Sequence, residues 1–176
     1  HSEKGRETWM VLKMNNLEDP ALIRLLYRAS RKGVKITLLV RGICCLNPDH
    51  PDAENIRILS LIDRFLEHAR IYLFCNGGEE KMYLGSADWM TRNMDRRVEV
   101  VAEIYSKKVF QTLRHLLSLQ ARDNVKSRHQ EHLLKNKHVI NDRANLQAQT
   151  EFYHFLRKEN HYSPSFLSNE TIKQNS

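Results

Sequence analysis

The sequence has no apolar run long enough to cross a membrane, and no secretory leader is visible. It has only three cysteines, of which Cys44 and Cys45 are neighbours and Cys75 lies far away. This spacing indicates neither a disulfide framework nor a metal site, and it favours buried, reduced thiols in a cytosolic protein. No internal repeat is present, and 176 residues suit one domain with an appendage.

Positive charge is in excess, with a formal net charge of +7 at pH 7. Residues 106–144 contain nine Lys or Arg against three Asp or Glu, so most of the imbalance lies in the C-terminal third. Such a segment is either a solvated helix face with a polar tail or a nucleic-acid patch. Few aromatic residues stand among the basic ones, which disfavours binding of single-stranded nucleic acid by stacking.

Apolar patterning predicts a strand–helix–strand unit at the start of the chain. Residues 9–14 form the first predicted strand. Asp19 before Pro20 is typical of a helix N-cap and first turn, and Gly33 ends that helix. Residues 34–40 are a nearly continuous apolar run, typical of a strand covered on both faces. At this spacing the two strands should be parallel and joined by a right-handed crossover.

Beyond residue 50 the pattern predicts further helices and short strands. The predicted elements are a helix over residues 56–67 whose first residues are also compatible with an extended form, strands at 71–74, 82–85 and 98–104, a turn at 76–78, a helix through 109–117, another near 147–159, and a disordered tail at 160–176. The fold class that follows is α/β, with a mixed β-sheet flanked by helices and a mostly helical or irregular C-terminal extension.

Arg41 stands directly after the second predicted strand, and Gly42 lets the backbone turn immediately after it. In α/β sheets, ligands bind beyond the carboxyl ends of parallel strands. Arg41 either presents a fork of donors to an anion there or forms an ion pair with Asp or Glu that caps the strand. Position alone leaves both interpretations open.

His68 and the residues before the strand at 98–104 are further candidates. At the end of a predicted helix, His68 is a helix-dipole partner, a surface residue or a functional group. The polar side chains that follow residue 85 each need a hydrogen bond or solvent, and they are Ser86, Asp88, Arg92, Asn93, Asp95, Arg96, Arg97 and Glu99. In a workable catalytic layout Glu99 holds the tautomer of His68, Gly-Ser backbone donors cradle phosphate, and arginines take its remaining charge.

Five strings of the sequence resemble the C-terminal catalytic domain of bacterial polyphosphate kinase. In chain order they are KMNNLEDP, VRGICCLNP, ENIRILSLIDRFLEHARIYLF, NGGEEKMYLGSADWMTRNMDRRVEV and DNVKSR. The resemblance runs from about Met10 to Arg128, and the order of several unusual strings makes it specific. It implies a phospholipase D-like fold, in which two similar α/β domains each lend one histidine to a shared site.

The resemblance also implies an activity and residue roles. The family transfers the γ-phosphate of ATP reversibly to inorganic polyphosphate through a phosphohistidine that an upstream domain carries. By position, His68 is the second catalytic histidine and contacts the nucleotide, Arg41 binds its phosphates, and Glu99 supports the histidine. The superfamily's His-x-Lys reads His68-Ala69-Arg70 here. Phosphate or structural support is assigned to Ser86, Asp88, Arg96 and Arg97.

Partners and boundaries follow from the same resemblance. ATP or ADP and inorganic polyphosphate are the substrates, and Mg²⁺ is bound mainly by the upstream domain, so no metal ligand is expected in this chain. Residues 1–128 should form the catalytic domain, 129–159 a basic, helical extension and 160–176 the tail. The upstream domain of the same parent chain completes the site, so the present chain alone should be inactive.

The parent protein is expected to be a homo-oligomer in the cytoplasm. Association with a membrane is the alternative. Nucleic acid is not expected as a partner. Two other classes of function remain open from the residues: a phospholipase D-like phosphodiesterase, and a non-enzymatic basic module that binds nucleic acid.

Overall fold

The computed structural model of the chain describes residues 8–130 and 136–159. Within these residues, eight strands form one mixed sheet, flanked by four helices. The strands are β1 Trp9–Met14, β2 Lys35–Val40, β3 Ile56–Leu61, β4 Arg70–Phe74, β5 Lys81–Gly85, β6 Val101–Glu103, β7 Ser127–Gln130 and β8 Asn136–His138. The helices are α1 Pro20–Arg31, α2 Thr91–Arg96, α3 Lys107–Arg122 and α4 Ala148–Glu159. No helix in the described ranges has the length and apolar character needed to span a bilayer.

The sheet has the order β6-β5-β4-β1-β2-β3-β7-β8. β1 pairs in parallel with β2 and β2 with β3, which confirms the predicted parallel unit, whereas β4, β5, β6, β7 and β8 each pair antiparallel with their neighbours. The carboxyl ends of β1, β2, β3 and β5 therefore lie at one edge, together with the amino ends of β4 and β6. We call this the site edge; it consists of the residues that follow Met14, Val40, Leu61 and Gly85 and those that precede Arg70 and Val101.

Apolar side chains cover both faces of the sheet. On β2, Leu38 and Val40 pack in the same cluster as Leu26 of α1, while Leu39 packs in the cluster that contains Leu117 of α3. Neighbouring residues of β2 thus pack into clusters on opposite faces of the sheet, which explains why its sequence is nearly continuously apolar. The prediction that this strand is covered on both faces is confirmed.

The ends of α1 follow the predicted chemistry. The Oδ1 atom of Asp19 accepts a hydrogen bond from the backbone nitrogen of Leu22 at 2.8 Å, and Pro20 occupies the first turn. Gly33 follows the helix with a φ of 81°, a left-handed conformation that glycine adopts without a steric penalty.

The helix predicted over residues 56–67 is wrong, whereas the extended alternative for its first residues is confirmed. Ile56–Leu61 is β3, and residues 62–69 have no regular secondary structure. Ile58 and Leu59 are buried in the two opposite clusters, as adjacent residues of a covered strand are, whereas Phe65 is 63% exposed. A short apolar run fits a buried strand and a helix equally well by spacing alone. His68 therefore follows an irregular segment, and its interpretation as a helix-dipole partner is also wrong.

The strands and helices predicted after residue 70 are present, but some of their bounds differ from the prediction. The strand predicted at 98–104 is the shorter β6, and the predicted helices correspond to α3 and α4. β8 lies in the extension that was expected to be helical or irregular from residue 129, and β7 begins just before it. Their sequences, NKH and SRHQ, have no apolar alternation that would have indicated strands. The sheet continues across residue 128, and the proposed domain boundary there stays a prediction. The tail predicted at 160–176 lies outside the described residues.

The three cysteines form no disulfide, and their environments differ. Cys75 is buried and Cys45 is exposed, so the prediction of buried thiols is wrong for Cys45. Burial raises the pKa of the Cys44 thiol to about 11.

Candidate functional site

Arg41 lies at the site edge directly after β2, and its guanidinium is held on one side only. Its Nε donates to Oδ1 of Asn15 at 2.6 Å and to the carbonyl oxygen of Glu67 at 2.9 Å. Both acceptors are uncharged, and among the described residues no carboxylate forms an ion pair with Arg41 and no group hydrogen-bonds its terminal nitrogens. The strand-capping ion pair is therefore wrong, while phosphate binding by Arg41 stays a prediction.

Gly42 allows the chain to turn close to the loop after β1. Its backbone nitrogen donates to the carbonyl oxygen of Asn15 at 2.8 Å, and the nitrogen of Ile43 donates to Oδ1 of Asn16 at 2.9 Å. A Cβ at residue 42 would lie 2.5 Å from Oδ1 of Asn16 and 2.9 Å from that same carbonyl oxygen. Only glycine fits this approach without a shift of the loop.

The carboxylate of Asp88 links three parts of the site edge. Asp88 is 6% exposed, and its Oδ1 accepts from the backbone nitrogen and Nδ2 of Asn15 at 2.9 and 3.1 Å and from Nε of Arg70 at 3.1 Å. Its Oδ2 accepts from Nδ2 of Asn16 at 2.9 Å. Burial by itself raises the pKa of Asp88, but the hydrogen bonds from Arg70, Asn16 and Asn15 outweigh burial and lower the pKa to about 2. Asp88 is thus an anion that fixes the loops after β1 and β5 to the start of β4.

The imidazole of His68 is exposed, and the guanidinium of Arg70 lies against it. Nη1 and Nη2 of Arg70 lie 3.3 Å from Nδ1 and Nε2 of His68, respectively, and Nη1 donates to the carbonyl oxygen of His68 at 3.1 Å. Since Nε of Arg70 binds Asp88, one guanidinium connects the buried carboxylate to the exposed imidazole. A cation two residues along the chain therefore lies against the imidazole of His68.

Glu99 is held by Ser86 and Asn93. The hydroxyl of Ser86 donates to Oε2 of Glu99, and Nδ2 of Asn93 donates to Oε1 at 2.7 Å. These two hydrogen bonds lower the pKa of Glu99. No hydrogen bond joins Glu99 to His68 within the described part of the chain, so the predicted carboxylate–histidine contact is not formed in this structure. The role of Glu99 in catalysis stays a prediction.

At the Gly-Ser turn, both the backbone and the hydroxyl of Ser86 form hydrogen bonds within the protein. The backbone nitrogen of Ser86 donates to the carbonyl oxygen of Val100 at 3.0 Å, and its hydroxyl accepts from the nitrogen of Val100 at 3.0 Å. Ser86 therefore supports the position of Glu99, and its own amide is not open to a phosphate. Arg96 and Arg97 are exposed at and just beyond the end of α2. After the hydrogen bonds to Glu99, attraction by Arg97 further lowers the pKa of that carboxylate.

The structure thus brings together Arg41, His68 and Asp88 with Arg70, and it places Ser86 and Glu99 in a neighbouring group on the β5–β6 side, where the charge of Arg70 still contributes to the lowered pKa of Glu99. The residues that sequence reasoning missed are Asn15, Asn16 and Glu67. The two asparagines follow β1 just as Arg41 follows β2, and parallel strands end at the same edge. That positional signal was available in the string KMNN.

The carboxylates of the site edge do not fit a Mg²⁺ site of their own. Both oxygens of Asp88 and both oxygens of Glu99 already accept hydrogen bonds, and the nearby side chains of Arg41, Arg70 and Arg97 are cationic. Magnesium prefers oxygen ligands that are free to coordinate. Across residues 8–130 and 136–159, no group of three His, Cys, Asp or Glu is placed to hold a metal ion.

A mixed sheet with a polar cluster at the carboxyl ends of its parallel strands is a general α/β arrangement, and a match to a solved structure makes this fold phospholipase D-like. The fold matches the crystal structure of Nuc, a phospholipase D family member from Salmonella typhimurium, with a TM-score of 0.54 and 12% identity over 72% of this chain and 84% of that one. The chain also matches the family model of polyphosphate kinase C-terminal domain 2 over residues 1–149. It belongs to that family.

Individual relatives agree with this assignment. The chain is 43% identical to a polyphosphate kinase of Yersinia pestis over 89% of its own length and 23% of that protein. It superimposes on the crystal structure of polyphosphate kinase from Porphyromonas gingivalis with a TM-score of 0.87 and 42% identity, over 89% of this chain and 24% of that one. The chain therefore spans about a quarter of the length of the relatives it matches.

Proposed function

We propose that this domain supplies one half of the catalytic site of a polyphosphate kinase. In the parent protein the reaction is the reversible transfer of the γ-phosphate of ATP to inorganic polyphosphate. The upstream domain provides the histidine that becomes phosphorylated and most of the contacts to Mg²⁺. The parent is a cytoplasmic or membrane-associated homo-oligomer on this proposal.

The observation that carries the proposal is the one-sided hold on Arg41. The Nε atom of Arg41 is fixed by Asn15 and by the main chain at Glu67, so the guanidinium is oriented, while its terminal nitrogens lack protein partners among the described residues. A planar fork fixed in this way matches the oxygens of a phosphate. Phosphoryl transfer requires mainly positioning and the stabilisation of charge on these oxygens, and an arginine supplies both.

His68 would act beside this arginine as a proton donor to the leaving oxygen. Its imidazole is exposed at the site edge, within reach of a substrate from outside the domain. Imidazole exchanges a proton near neutral pH, and Arg70, which lies against the ring, is itself anchored by the carboxylate of Asp88. Fixing a proton donor in one orientation lowers the entropy cost of the transfer.

Exposed apolar side chains at the site edge support the existence of a covering domain. They occur in the loops after β2 and β3 and between β5 and β6, and they are Ile43, Ile62, Phe65, Leu66, Met94, Val98 and Val100. Soluble domains rarely expose such a group unless another surface packs on it. We propose that the upstream domain of the same parent chain covers this edge and so brings its histidine to His68.

The test is to incubate the full-length protein with ATP and Mg²⁺ and to separate the products by electrophoresis. A ladder of polyphosphate together with acid-labile phosphate on the protein is expected. Hydrolysis of a phosphodiester without such a ladder would instead support a phospholipase D-like activity. Salt-sensitive binding to DNA with neither reaction would support a nucleic-acid-binding module.

A further inference from the structure

The irregular segment that carries His68 is held by side chains of α4 and the residue before it. Gln149 binds the backbone of Phe65 with both ends of its amide: Nε2 donates to the carbonyl oxygen at 2.8 Å, and Oε1 accepts from the nitrogen at 2.9 Å. Nε2 of Gln147 donates to Oδ2 of Asp63 at 2.8 Å. A segment without secondary structure of its own thus obtains defined backbone partners from the C-terminal extension.

Glu67 is the residue on which the contacts of this segment converge. Its Oε2 accepts from Nζ of Lys13 on β1 at 2.9 Å and from Nε2 of Gln120 on α3, and its Oε1 accepts from Nε2 of Gln149 on α4 at 3.1 Å. The side chains of Lys13 and Glu67 are 8% and 21% exposed, so this ion pair is largely shielded from water. A half-buried carboxylate with three donors has little freedom to change its position.

The main chain of Glu67 reaches both groups proposed for the chemistry. Its carbonyl oxygen accepts from Nε of Arg41 at 2.9 Å, and His68 is the next residue. One residue therefore joins the phosphate-binding guanidinium and the proton donor to β1, α3 and α4. The ion pair Lys13–Glu67 lies on a path from the rigid sheet to both groups.

We propose that Glu67 is a positioning residue of this site, and that α4, through Gln149, is part of the support that holds Arg41 and His68 in register. This inference rests on the proposed function. Small displacements of groups that align reacting atoms are costly in rate even when the fold survives. The C-terminal extension then contributes to turnover without touching substrate.

The first experiment compares Glu67→Gln with Glu80→Gln in the full-length protein. Glu80 is a matched control, because it also pairs with a cation, Arg114 of α3 at 2.7 Å, but it lies in the β4–β5 connection away from the site edge. We expect kcat to fall on the order of tenfold or more for Glu67→Gln and to remain unchanged for Glu80→Gln. A kcat of Glu67→Gln equal to that of the wild type would overturn the inference.

A double-mutant cycle separates positioning from general destabilisation. If Glu67 acts through Arg41, Glu67→Gln should cost less in the background of Arg41→Lys than in the wild type. Equal losses in both backgrounds would show that Glu67 does not act through Arg41 and would overturn that part of the inference. Should Glu67→Gln fail to fold, Gln149→Met removes the α4 contacts without exposing a buried charge, and an unchanged kcat for that variant would also overturn the inference.

Hydrogen–deuterium exchange provides a readout that does not need activity. Amides in residues 62–69 should exchange faster in Glu67→Gln and Gln149→Met than in the wild type, and at the wild-type rate in Glu80→Gln. Unchanged exchange in Glu67→Gln and Gln149→Met would contradict the proposal that Glu67 and Gln149 hold this segment. A wild-type protein that makes no polyphosphate would reject the proposed function, while the exchange data would still decide whether Glu67 holds the segment.

Discussion

Replacing His68 should reduce phosphate transfer more than replacing Glu99, because the proposal places only His68 against substrate. In the full-length protein, His68→Ala should nearly abolish phosphate transfer and leave the fold intact, since the imidazole is exposed. Glu99→Gln should cause a smaller loss, because Glu99 organises Ser86 and Asn93. Initial rates of polyphosphate synthesis, with circular dichroism as the folding control, measure both. Near-normal turnover of His68→Ala, or a greater loss from Glu99→Gln, would contradict these roles.

Asp88 should make stability depend on pH in the acid range. Its pKa of about 2 lies below the usual value of 3.8, so the folded state favours the carboxylate and gains stability above the usual value. That stability, on the order of 1–2 kcal/mol, should be lost progressively as the pH falls from about 5 to about 2.

Urea unfolding of the wild type and of Asp88→Asn at a series of pH values tests this expectation. Other titrating groups contribute similarly to both proteins, so the difference in the free energy of unfolding isolates Asp88. The difference should be largest near neutral pH and should shrink with acidification. Two curves that stay parallel down to about pH 2 would show that the carboxylate is not stabilised by its contacts with Arg70 and the asparagines.

At the scale of elements, the loop after β2 depends on close contact with the loop after β1. Gly42→Ala should force these loops apart, because the new Cβ meets Oδ1 of Asn16 at 2.5 Å. We expect a raised KM for ATP and a loss of stability on the order of 1–3 kcal/mol. Steady-state kinetics and thermal unfolding measure the two effects.

Gly78→Ala is the control for that change. Gly78 lies in the turn after β4 with a φ of 105°, so alanine is strained there, but nothing lies within 4 Å of the added Cβ and the turn is remote from the site edge. This variant should lose stability without a change in KM. An unchanged KM for Gly42→Ala would show that Arg41 is positioned independently of Gly42.

The sequence patterns predicted the elements that carry local signals. Asp19, Pro20 and Gly33 mark the ends of α1, and the apolar run before Arg41 predicted a strand covered on both faces; both features are present. The segment after Ile56 was misassigned, because its apolar spacing fits a helix while tertiary pairing with β2 and β7 makes it a strand. β7 and β8 have polar sequences whose pairing only the assembled sheet can supply.

The place of the candidate residues at one edge of the sheet was predictable from the sequence, their contacts were less so, and their catalytic roles stay predictions. Arg41, His68 and Asp88 do lie together at one edge, as strand order requires. The hydrogen-bond partners were not predictable, because they come from residues distant in the chain, such as Asn15 for Arg41 and Gln149 for Glu67. Burial of Lys13 beside Glu67 carries no signature in either residue's neighbours along the sequence.

At the scale of the whole molecule, the purified 176-residue chain should bind ATP or short polyphosphate only weakly. His68 is exposed and Arg41 is half-buried at an edge that is open to solvent, where attraction to phosphate is screened by salt. The affinity should therefore fall as ionic strength rises. Isothermal titration at two or more salt concentrations measures it, and tight, salt-independent binding would show that this domain holds a complete site.

The same chain should not become phosphorylated. Incubation with γ-labelled ATP and Mg²⁺ should leave no acid-labile label on the protein, because His68 is proposed to donate a proton and the nucleophile to lie upstream. The full-length protein is the positive control. Stoichiometric labelling of His68 in the chain alone would reverse the division of labour between the two domains.

Because the three thiols differ in accessibility, one cysteine of the natural sequence can be labelled selectively with a fluorescent dye. A maleimide dye reacts with thiolates, so near neutral pH it should prefer the exposed Cys45 over Cys75, which is buried, and over Cys44, whose pKa burial raises to about 11. Cys45 lies in the loop that follows Arg41. A fluorophore attached there would sense the arrival of a ligand or of a second domain through its change in emission, without any engineered residue.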